Sequence, residues 1–428
     1  MNRVINNAAW IIGCKVVKAI LTLIITMITA RHLGAANFGL INYAAGIVAF
    51  MAPLMKLGLD AIAVHEIVNH PEKEGETLGT IVALCLFSSL LCIVGIFAFA
   101  CLANSEEPTT IAVCVIYGIV LIFQAVEMLQ YWFQAKLLSK YSAMAMLASY
   151  ILVSAVQIIL LLNKADIRVF ALSYCIDYST IALILYLVYR KKSSQKLSIS
   201  FIRSKEMLTV SKFYIISGLM ISVFNNTDRI MLKLLVNDTA TGIYAAAHTC
   251  ASMTSFVFVA LIDSMRSTIF ESKKNSEELY KKNLINLYSV ITYFSLIQCL
   301  IVTIFAPPII SIMYGEEYYD AINVLRIAVW FSTFSYLGTV RDIWILAEGL
   351  QSYLWKINLS GAVMNVALNS WLIPLWGPSG AALASVVSQF FTNVITGIII
   401  KPIRPNISLM VHGLNPKLIG KMTRKNRN

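Results

Sequence analysis

The sequence predicts an all-α integral membrane protein with twelve transmembrane helices, arranged in two pseudo-symmetric six-helix lobes around a central cavity. Three observations support this fold class. Of the 428 residues, 58% are apolar and only 13% are charged, about half the charged fraction of a soluble protein. The apolar residues form runs long enough to span a bilayer. Similar residues also recur in the two halves of the chain. The composition therefore excludes a disordered chain and argues against a soluble enzyme.

Twelve segments each contain about 20 mostly apolar residues, the length that a helix needs to cross the hydrocarbon core of a membrane. Short breaks with Pro, Gly or charged residues separate them. The first segment is too long for the apolar region of a cleaved signal peptide, and it contains two lysines. The predicted spans are residues 9–30, 38–62, 78–103, 110–135, 141–162, 168–189, 208–235, 241–265, 284–306, 320–346, 353–373 and 379–400.

The basic residues predict the orientation of these spans. The formal net charge is +12, which in a soluble protein would suggest nucleic acid as a partner, but the apolar runs argue against that. The even-numbered connections with their flanking span ends, together with both tails, hold 23 Lys and Arg residues, whereas the odd-numbered connections with their flanking span ends hold 4. Because basic residues accumulate on the cytoplasmic side, we expect both termini to lie in the cytoplasm.

The predicted domain organisation follows from the repeat and the longest connections. Asp60 near the end of the second span is echoed by Asp263 near the end of the eighth, and Gly39–Ala45 is echoed by Gly242–Ala247. Each half has an even number of spans, so the repeats are parallel. The predicted parts are an N-terminal lobe at 1–190, a cytoplasmic linker at 191–207, a C-terminal lobe at 208–400 and a basic cytoplasmic tail at 401–428.

A polar stripe runs along the first helix of each half. In the first span, Lys15, Lys18 and Thr22 recur at spacings of three and four residues, so they share one helix face. Asn225 and Arg229 form the matching stripe in the seventh span. A cation at the bilayer centre costs at least about 2.5–3.5 kcal/mol. We therefore expect both faces to line a hydrated cavity between the lobes.

Other spans add polar residues to this predicted cavity. Gln124 and Glu127 share a face of the fourth span, and Asn365 belongs to an asparagine stripe in the eleventh, where it could equally join helices. The predicted substrate contacts are Lys15, Lys18, Thr22, Gln124, Glu127, Asn225, Arg229 and Asn365.

Three acidic residues are candidates for ion coupling or gating. Asp177 lies inside the sixth span, where an ionisable side chain is a functional candidate. Asp60 and Asp263 lie near the cytoplasmic mouth. For these two, a structural ion pair with Lys56 or Arg266 is the alternative to gating.

The sequence contains no motif for cofactor or metal chemistry. None of the eight cysteines forms a CxxC pair, and no phosphate-binding loop or HExxH motif occurs. We therefore expect no catalytic residue, no metal and no other cofactor. A proton or sodium gradient is the candidate energy source for transport.

Several stretches resemble bacterial polysaccharide flippases. The first runs from Ala30 to Ala44 and is followed by Leu57–Asp60; later ones are Asp228-Arg229 and Gly377–Ala382. The resemblance covers essentially the whole chain. On these motifs the chain resembles the O-antigen, or Wzx-type, members of the multidrug/oligosaccharidyl-lipid/polysaccharide exporter superfamily.

The resemblance implies a function and partners. Such proteins move an undecaprenyl-pyrophosphate-linked oligosaccharide from the inner to the outer leaflet of the bacterial inner membrane, through a cavity that opens alternately to each side. Lys15, Lys18 and Arg229 could then neutralise the pyrophosphate. Membrane lipid, the O-antigen polymerase and the chain-length regulator would be further partners, and nucleic acid would not.

Three alternatives remain open at this stage. A drug exporter of the same fold should have a more apolar and acidic cavity, suited to organic cations. A peptidoglycan-precursor flippase would carry a similar anionic cargo. A membrane glycan polymerase would be an enzyme with a long outward loop, whereas the longest outward connection here, 306–319, contains no Lys, Arg or His.

Overall fold

The computed structural model describes the backbone of residues 2–415, and the side chains of residues 13, 14 and 16–415. Within this part of the chain, helices account for nearly all residues and no β-strand occurs. The predicted all-α membrane fold class is confirmed.

Among the described residues, the first half of the chain forms nine α-helices. Asp166 caps one of them, because its side chain accepts the backbone N–H of Arg168 at 2.7 Å. The helices are α1 (Asn2–Lys56), α2 (Leu59–Asn69), α3 (Glu74–Ala103), α4 (Pro108–Gly118), α5 (Val120–Glu127), α6 (Gln130–Ala135), α7 (Ser139–Leu162), α8 (Ile167–Lys192) and α9 (Phe201–Leu235).

The second half adds eight α-helices and a π-helical stretch at Phe391–Ile395. Asn237 caps the first of them by accepting the backbone N–H of Ala240 at 2.8 Å. The helices are α10 (Asp238–Ser252), α11 (Ser255–Asn275), α12 (Glu277–Tyr314), α13 (Ala321–Ala328), α14 (Trp330–Ala347), α15 (Leu354–Phe390), α16 (Thr396–Ile399) and α17 (Arg404–Gly413).

Each of the twelve predicted spans lies on helix, although the described residues contain eight helical segments that are long and apolar enough to cross a membrane, or nine with the bent pair α10–α11. Two of the eight segments contain two predicted spans each. In both, a glycine with non-helical backbone angles separates the two spans: Gly34 (φ 74°, ψ 169°) and Gly377 (φ 54°, ψ −130°). The predicted span 320–346 does not qualify because α13 has only eight residues and Arg341 and Asp342 lower the hydropathy of α14.

The chain folds into two compact units. The division falls between Asn226 and Thr227, inside α9. Aromatic side chains pack in each core: Trp132 and Tyr189 meet edge to face at 5.1 Å in the first unit, and Phe258 and Tyr336 stack at 4.2 Å in the second.

The segments predicted as linker and tail are partly helical. Of the predicted linker 191–207, only residues 193–200 lie outside helices. In the predicted tail, α17 packs on α12, where the Tyr288 hydroxyl donates to the Asn406 side chain at 3.0 Å. The rest of the basic tail, from residue 416 on, lies outside the described residues, and the lobe boundaries stay a prediction.

Residues 193–200, which we call the strap segment, follow a non-helical path along the first turns of α3. The Gln195 side chain accepts the backbone N–H of Gly75 at 2.9 Å. The backbone N–H of Ser200 is donated to the Thr80 hydroxyl at 3.0 Å. The strap segment is therefore fixed to the first unit by hydrogen bonds at both of its ends.

Two glycines on α3 allow this close approach. Gly75 and Gly79 lie one helical turn apart and face the strap segment. A Cβ atom on Gly75 would collide with the backbone of Lys196, and one on Gly79 would collide with the backbone of Ser198. Only glycine leaves room for the strap segment at these two positions.

Candidate functional site

Lys18 on α1 lines a cavity of about 250 Å³ in the first unit. Its ammonium lies 5.4 Å from the centre of the Tyr150 ring. No ion pair between described side chains includes Lys18. The other lining residues come from α1, α6 and α7: Cys14, Gln130, Gln134, Ser139, Ser142, Ala143, Met146 and Leu147. This cavity offers an anion one cation together with amide and hydroxyl groups.

Two carboxylates lie within electrostatic range of Lys18. Glu127 on α5 interacts with Lys18 and Lys56, and Asp177 on α8 interacts with Lys18. Asp177 is buried, and its carboxylate accepts the Ser149 hydroxyl at 2.7 Å. Three predicted site residues from three different helices thus interact electrostatically in the first unit.

The remaining predicted residues of the first unit have local partners. The Gln124 side chain interacts with the Tyr178 hydroxyl. The Thr22 hydroxyl donates to the backbone oxygen of Lys18 at 2.8 Å. Its only hydrogen is therefore already bonded within α1. Lys15 lies on α1, but its side chain is outside the described residues.

The two aspartates near the predicted cytoplasmic mouth form ion pairs with the cations that the sequence suggested. Asp60 lies 3.8 Å from the Lys56 ammonium, one helical turn away. Asp263 lies 2.8 Å from the Arg266 guanidinium, three residues away. Both pairs are partly or fully exposed to solvent. Both aspartates therefore form the structural ion pairs that were the alternative to gating, and a gating role stays a prediction.

A buried carboxylate organises the second unit. Asp228 on α9 is 4% exposed. Its carboxylate accepts the hydroxyls of Tyr244 and Ser385, each at 2.5 Å. It also accepts the side-chain amides of Asn369 at 2.5 Å and Asn365 at 3.2 Å. Four donors from two other helices therefore surround one carboxylate.

This network changes the interpretation of Asn365 and reveals a site residue that we did not predict. Asn365 is fully buried and donates to Asp228, so it joins helices, which is one of the two roles that the sequence left open. Asp228 was not among the substrate or coupling candidates; the sequence suggested only that it pairs with a neighbouring helix, and it does so through Asn365. The signals that could have found it are an acidic residue inside an apolar segment and the four-residue spacing of Asn365 and Asn369.

Arg229 follows Asp228 on α9 and interacts electrostatically with Asp228, Tyr244 and His248. No ion pair between described side chains includes Arg229. His248 stacks on Phe331 with ring centres 5.3 Å apart. Arg229 is therefore a half-buried cation beside aromatic rings.

The predicted residues thus fall into two groups. Lys18 interacts electrostatically with Glu127 and Asp177 in the first unit. Arg229 and Asn365 lie in the second unit, where both interact with Asp228. Asn225 is exposed and shares a helix face with Arg229, one turn away. Between residues 2 and 415, no group of three or more His, Cys, Asp or Glu side chains could hold a metal ion.

Comparison with known proteins identifies a family and a fold. The family model described as "Polysaccharide biosynthesis protein" matches residues 4–265. No curated protein matches the chain in sequence.

Solved transporters share the fold. The lipid II flippase MurJ in an inward closed conformation is 13% identical, with a TM-score of 0.73 over 94% of this chain and 90% of that one. An inward-facing multidrug resistance MATE family transporter of the MOP superfamily is 16% identical, with a TM-score of 0.65 over 92% and 95%. An outward-facing MATE family transporter is 15% identical, with a TM-score of 0.59 over 95% and 96%.

Proposed function

The chain belongs to the polysaccharide biosynthesis protein family, and from this premise we propose that it is a flippase for undecaprenyl-pyrophosphate-linked O-antigen repeat units. It would move these units across the bacterial inner membrane for lipopolysaccharide biosynthesis. The observation that carries the proposal is the cavity around Lys18. There a cation without an ion-pair partner among the described side chains lies inside a membrane-spanning helix, beside amides and hydroxyls.

The cation suits the charged part of such a cargo. A pyrophosphate carries more than one negative charge, and even one unpaired buried ion is penalised by several kcal/mol. Lys18 offsets part of that penalty where the cargo enters. In our proposal Lys15 on the same helix face and Arg229 in the second unit extend the cationic path, which makes organic cations poor cargo.

The neutral polar groups suit sugars. Gln130 and Gln134 offer amides that both donate and accept hydrogen bonds, and Ser139 and Ser142 offer hydroxyls. Gln124, Thr22 and Asn225 would add further polar contacts along the same path. A drug exporter for organic cations would not need neutral amides and hydroxyls beside a lysine.

Transport against a gradient needs an energy source. We propose that a proton or sodium gradient supplies it, with Asp177 as the first candidate for the coupling residue. Its carboxylate is buried, lies within electrostatic range of Lys18 and has one side-chain hydrogen-bond donor. Asp60 and Asp263, in more exposed ion pairs, would act in gating.

The proposal includes a cellular setting. The protein is a multi-pass membrane protein, and we place it in the inner membrane with both termini in the cytoplasm. The O-antigen polymerase and the chain-length regulator would receive its product on the outer side. The chain would act by translocation and catalyse no covalent step.

A deletion strain tests the function. We expect the strain to assemble the lipid-linked repeat unit, to leave it in the inner leaflet and to lack surface O-polysaccharide. A plasmid copy of the wild-type chain should restore the polysaccharide. Absence of the lipid-linked unit itself would point to a synthase instead. Arrested cell-wall synthesis with normal O-polysaccharide would point to a peptidoglycan-precursor flippase.

A further inference from the structure

A second groove lies in the first unit, between α3 and the beginning of α9. Its volume is about 530 Å³. Two lysines of α9, Lys205 and Lys212, line it. They are seven residues apart, so they share one helix face and are separated by about 10.5 Å along the axis. The other lining residues are Leu84, Phe201, Ser204, Leu208 and Thr209.

Both lysines are exposed, and neither has a carboxylate partner among the described residues. Lys212 lies over the ring of Phe213, with 5.2 Å between the ammonium and the ring centre. Another basic residue of α9, Arg203, does have a carboxylate partner. Arg203 pairs with Glu66 at 3.1 Å. The groove therefore presents two uncompensated positive charges.

The walls of the groove continue as apolar surface toward the middle of the predicted membrane span. On α3, Leu84 is followed at spacings of three and four by Phe87, Leu91 and Val94, which are 58–65% exposed. On α9, Phe213 is 70% exposed. Cations at one end and an apolar stripe beyond them match an amphipathic ligand with an anionic head.

We propose that this groove binds an anionic phospholipid of the surrounding membrane. The phosphate lies between Lys205 and Lys212, whose ammonium groups are its donors, and an acyl chain runs along the stripe of α3. The hydroxyls of Ser204 and Thr209 already donate to backbone oxygens of α9 and its preceding residue. This site is separate from the Lys18 cavity and does not depend on the proposed cargo.

The lining favours a phospholipid over a lipid-linked oligosaccharide. A sugar chain needs many hydrogen-bonding groups. The two hydroxyls of this groove already donate to backbone oxygens, and its lining has neither an amide nor a carboxylate side chain. A phosphate diester needs only cations and a few donors. The level of the lysines also fits, because the predicted span begins at residue 208, where the headgroups lie.

Lipid binding to the purified full-length protein tests the proposal. The protein in detergent is titrated with phosphatidylglycerol or phosphatidylcholine, and native mass spectrometry counts the lipids retained. We expect the Lys205→Gln, Lys212→Gln double variant to bind phosphatidylglycerol about tenfold more weakly than the wild type. Binding of phosphatidylcholine should not change. Each single variant should have an intermediate effect.

The matched control is the Lys191→Gln, Lys192→Gln double variant, which removes two exposed lysines at the end of α8. It should bind phosphatidylglycerol like the wild type. Equal losses in both double variants would show only a general charge effect and would overturn the site. Unchanged binding in the groove variant would overturn it as well. If undecaprenyl pyrophosphate displaced phosphatidylglycerol from the wild type but not from the groove variant, the groove would be a cargo site and the phospholipid assignment would be wrong.

Discussion

The carboxylate of Asp228 on α9 accepts a hydrogen bond from the side-chain amide of Asn365 on α15 at 3.2 Å, although 137 residues separate them in the chain. The same carboxylate binds Ser385, which lies beyond the backbone break of α15 at Gly377. One side chain therefore ties α9 to both parts of α15. Because Tyr244 of α10 also donates to it, the network fixes three helices of the second unit.

We predict that Asp228 stabilises the second unit through these hydrogen bonds. Replacing it with Ala would leave three buried donors and the half-buried Ser385 hydroxyl without this acceptor, and we expect the free energy of unfolding to fall by about 3 kcal/mol. Asp228→Asn keeps one carbonyl oxygen, so its loss should be about half as large. Denaturant titration of the purified protein in detergent measures both changes.

Asp320 provides the control for this experiment. It lies exposed just before α13, and no described cation forms an ion pair with it. Asp320→Asn should change the free energy of unfolding by less than about 0.5 kcal/mol. If Asp228→Ala were as stable as Asp320→Asn, the network would not hold the helices together.

The charge distribution predicts the topology of the protein. Reporter fusions at Ser194 and Asn428 should report a cytoplasmic location, and a fusion at Glu107 should report a periplasmic one, because basic residues accumulate on the cytoplasmic side. Alkaline phosphatase and green fluorescent protein fusions measure this in intact cells. A periplasmic signal at Ser194 would contradict the arrangement of six spans before the linker.

Local sequence patterns predicted the helices because each helix needs only its own apolar length and its own breakers. They also marked the breaks near Gly34 and Gly377, where short polar or Gly-Pro stretches interrupt two apolar runs. Local patterns could not predict the partners of Asp228. Asn365 and Ser385 are more than 130 residues away, and only tertiary packing brings them to the carboxylate.

The path of the strap segment is a second feature that the sequence could not predict. Residues 193–200 have no apolar periodicity, so the sequence predicted only a connection. Their position depends on main-chain hydrogen bonds, such as the one from Ser198 to the backbone oxygen of Gly75 at 3.2 Å. Almost any residue type can form such main-chain bonds, so the sequence does not reveal them. The available signal was the pair Gly75 and Gly79, one turn apart on α3, which indicates a helix face that another chain segment can approach closely.

We predict that Gly79→Ala releases the strap segment from α3, because the added Cβ would collide with the backbone of Ser198. Trypsin should then cut after Lys196 several-fold faster, since a protease needs a locally unfolded segment. Limited proteolysis of the purified protein, followed by mass spectrometry of the fragments, measures the rate.

Gly95→Ala is the matched control, because Gly95 lies on the same helix and its added Cβ would come no closer than 4.0 Å to Met51. It should leave cleavage after Lys196 at the wild-type rate. If Gly79→Ala were also cut at the wild-type rate, the strap segment would not depend on the glycine face of α3.

The cationic path gives the prediction that bears most directly on transport. Lys15 and Lys18 lie about 9 and 14 Å beyond the start of the first predicted span at Ala9, at 1.5 Å per residue. Arg229 lies about 9 Å before the end of α9 at Leu235. Each cation therefore lies within a predicted span, where the proposed function has it stabilise the pyrophosphate.

We expect Lys15→Ala, Lys18→Ala and Arg229→Ala each to lower surface polysaccharide about tenfold while the protein still inserts, which corresponds to about 1.4 kcal/mol of lost cargo stabilisation. Lys18→Arg should be milder than Lys18→Ala, because it keeps the charge that attracts the headgroup. Lys191→Ala, at the exposed end of α8, is the control and should produce wild-type polysaccharide. Gel analysis of lipopolysaccharide, with immunoblotting of membranes for protein amount, measures each variant. Wild-type polysaccharide in the Lys18→Ala, Arg229→Ala double variant would contradict the proposed role of these cations in transport and would leave them with a role in helix packing only.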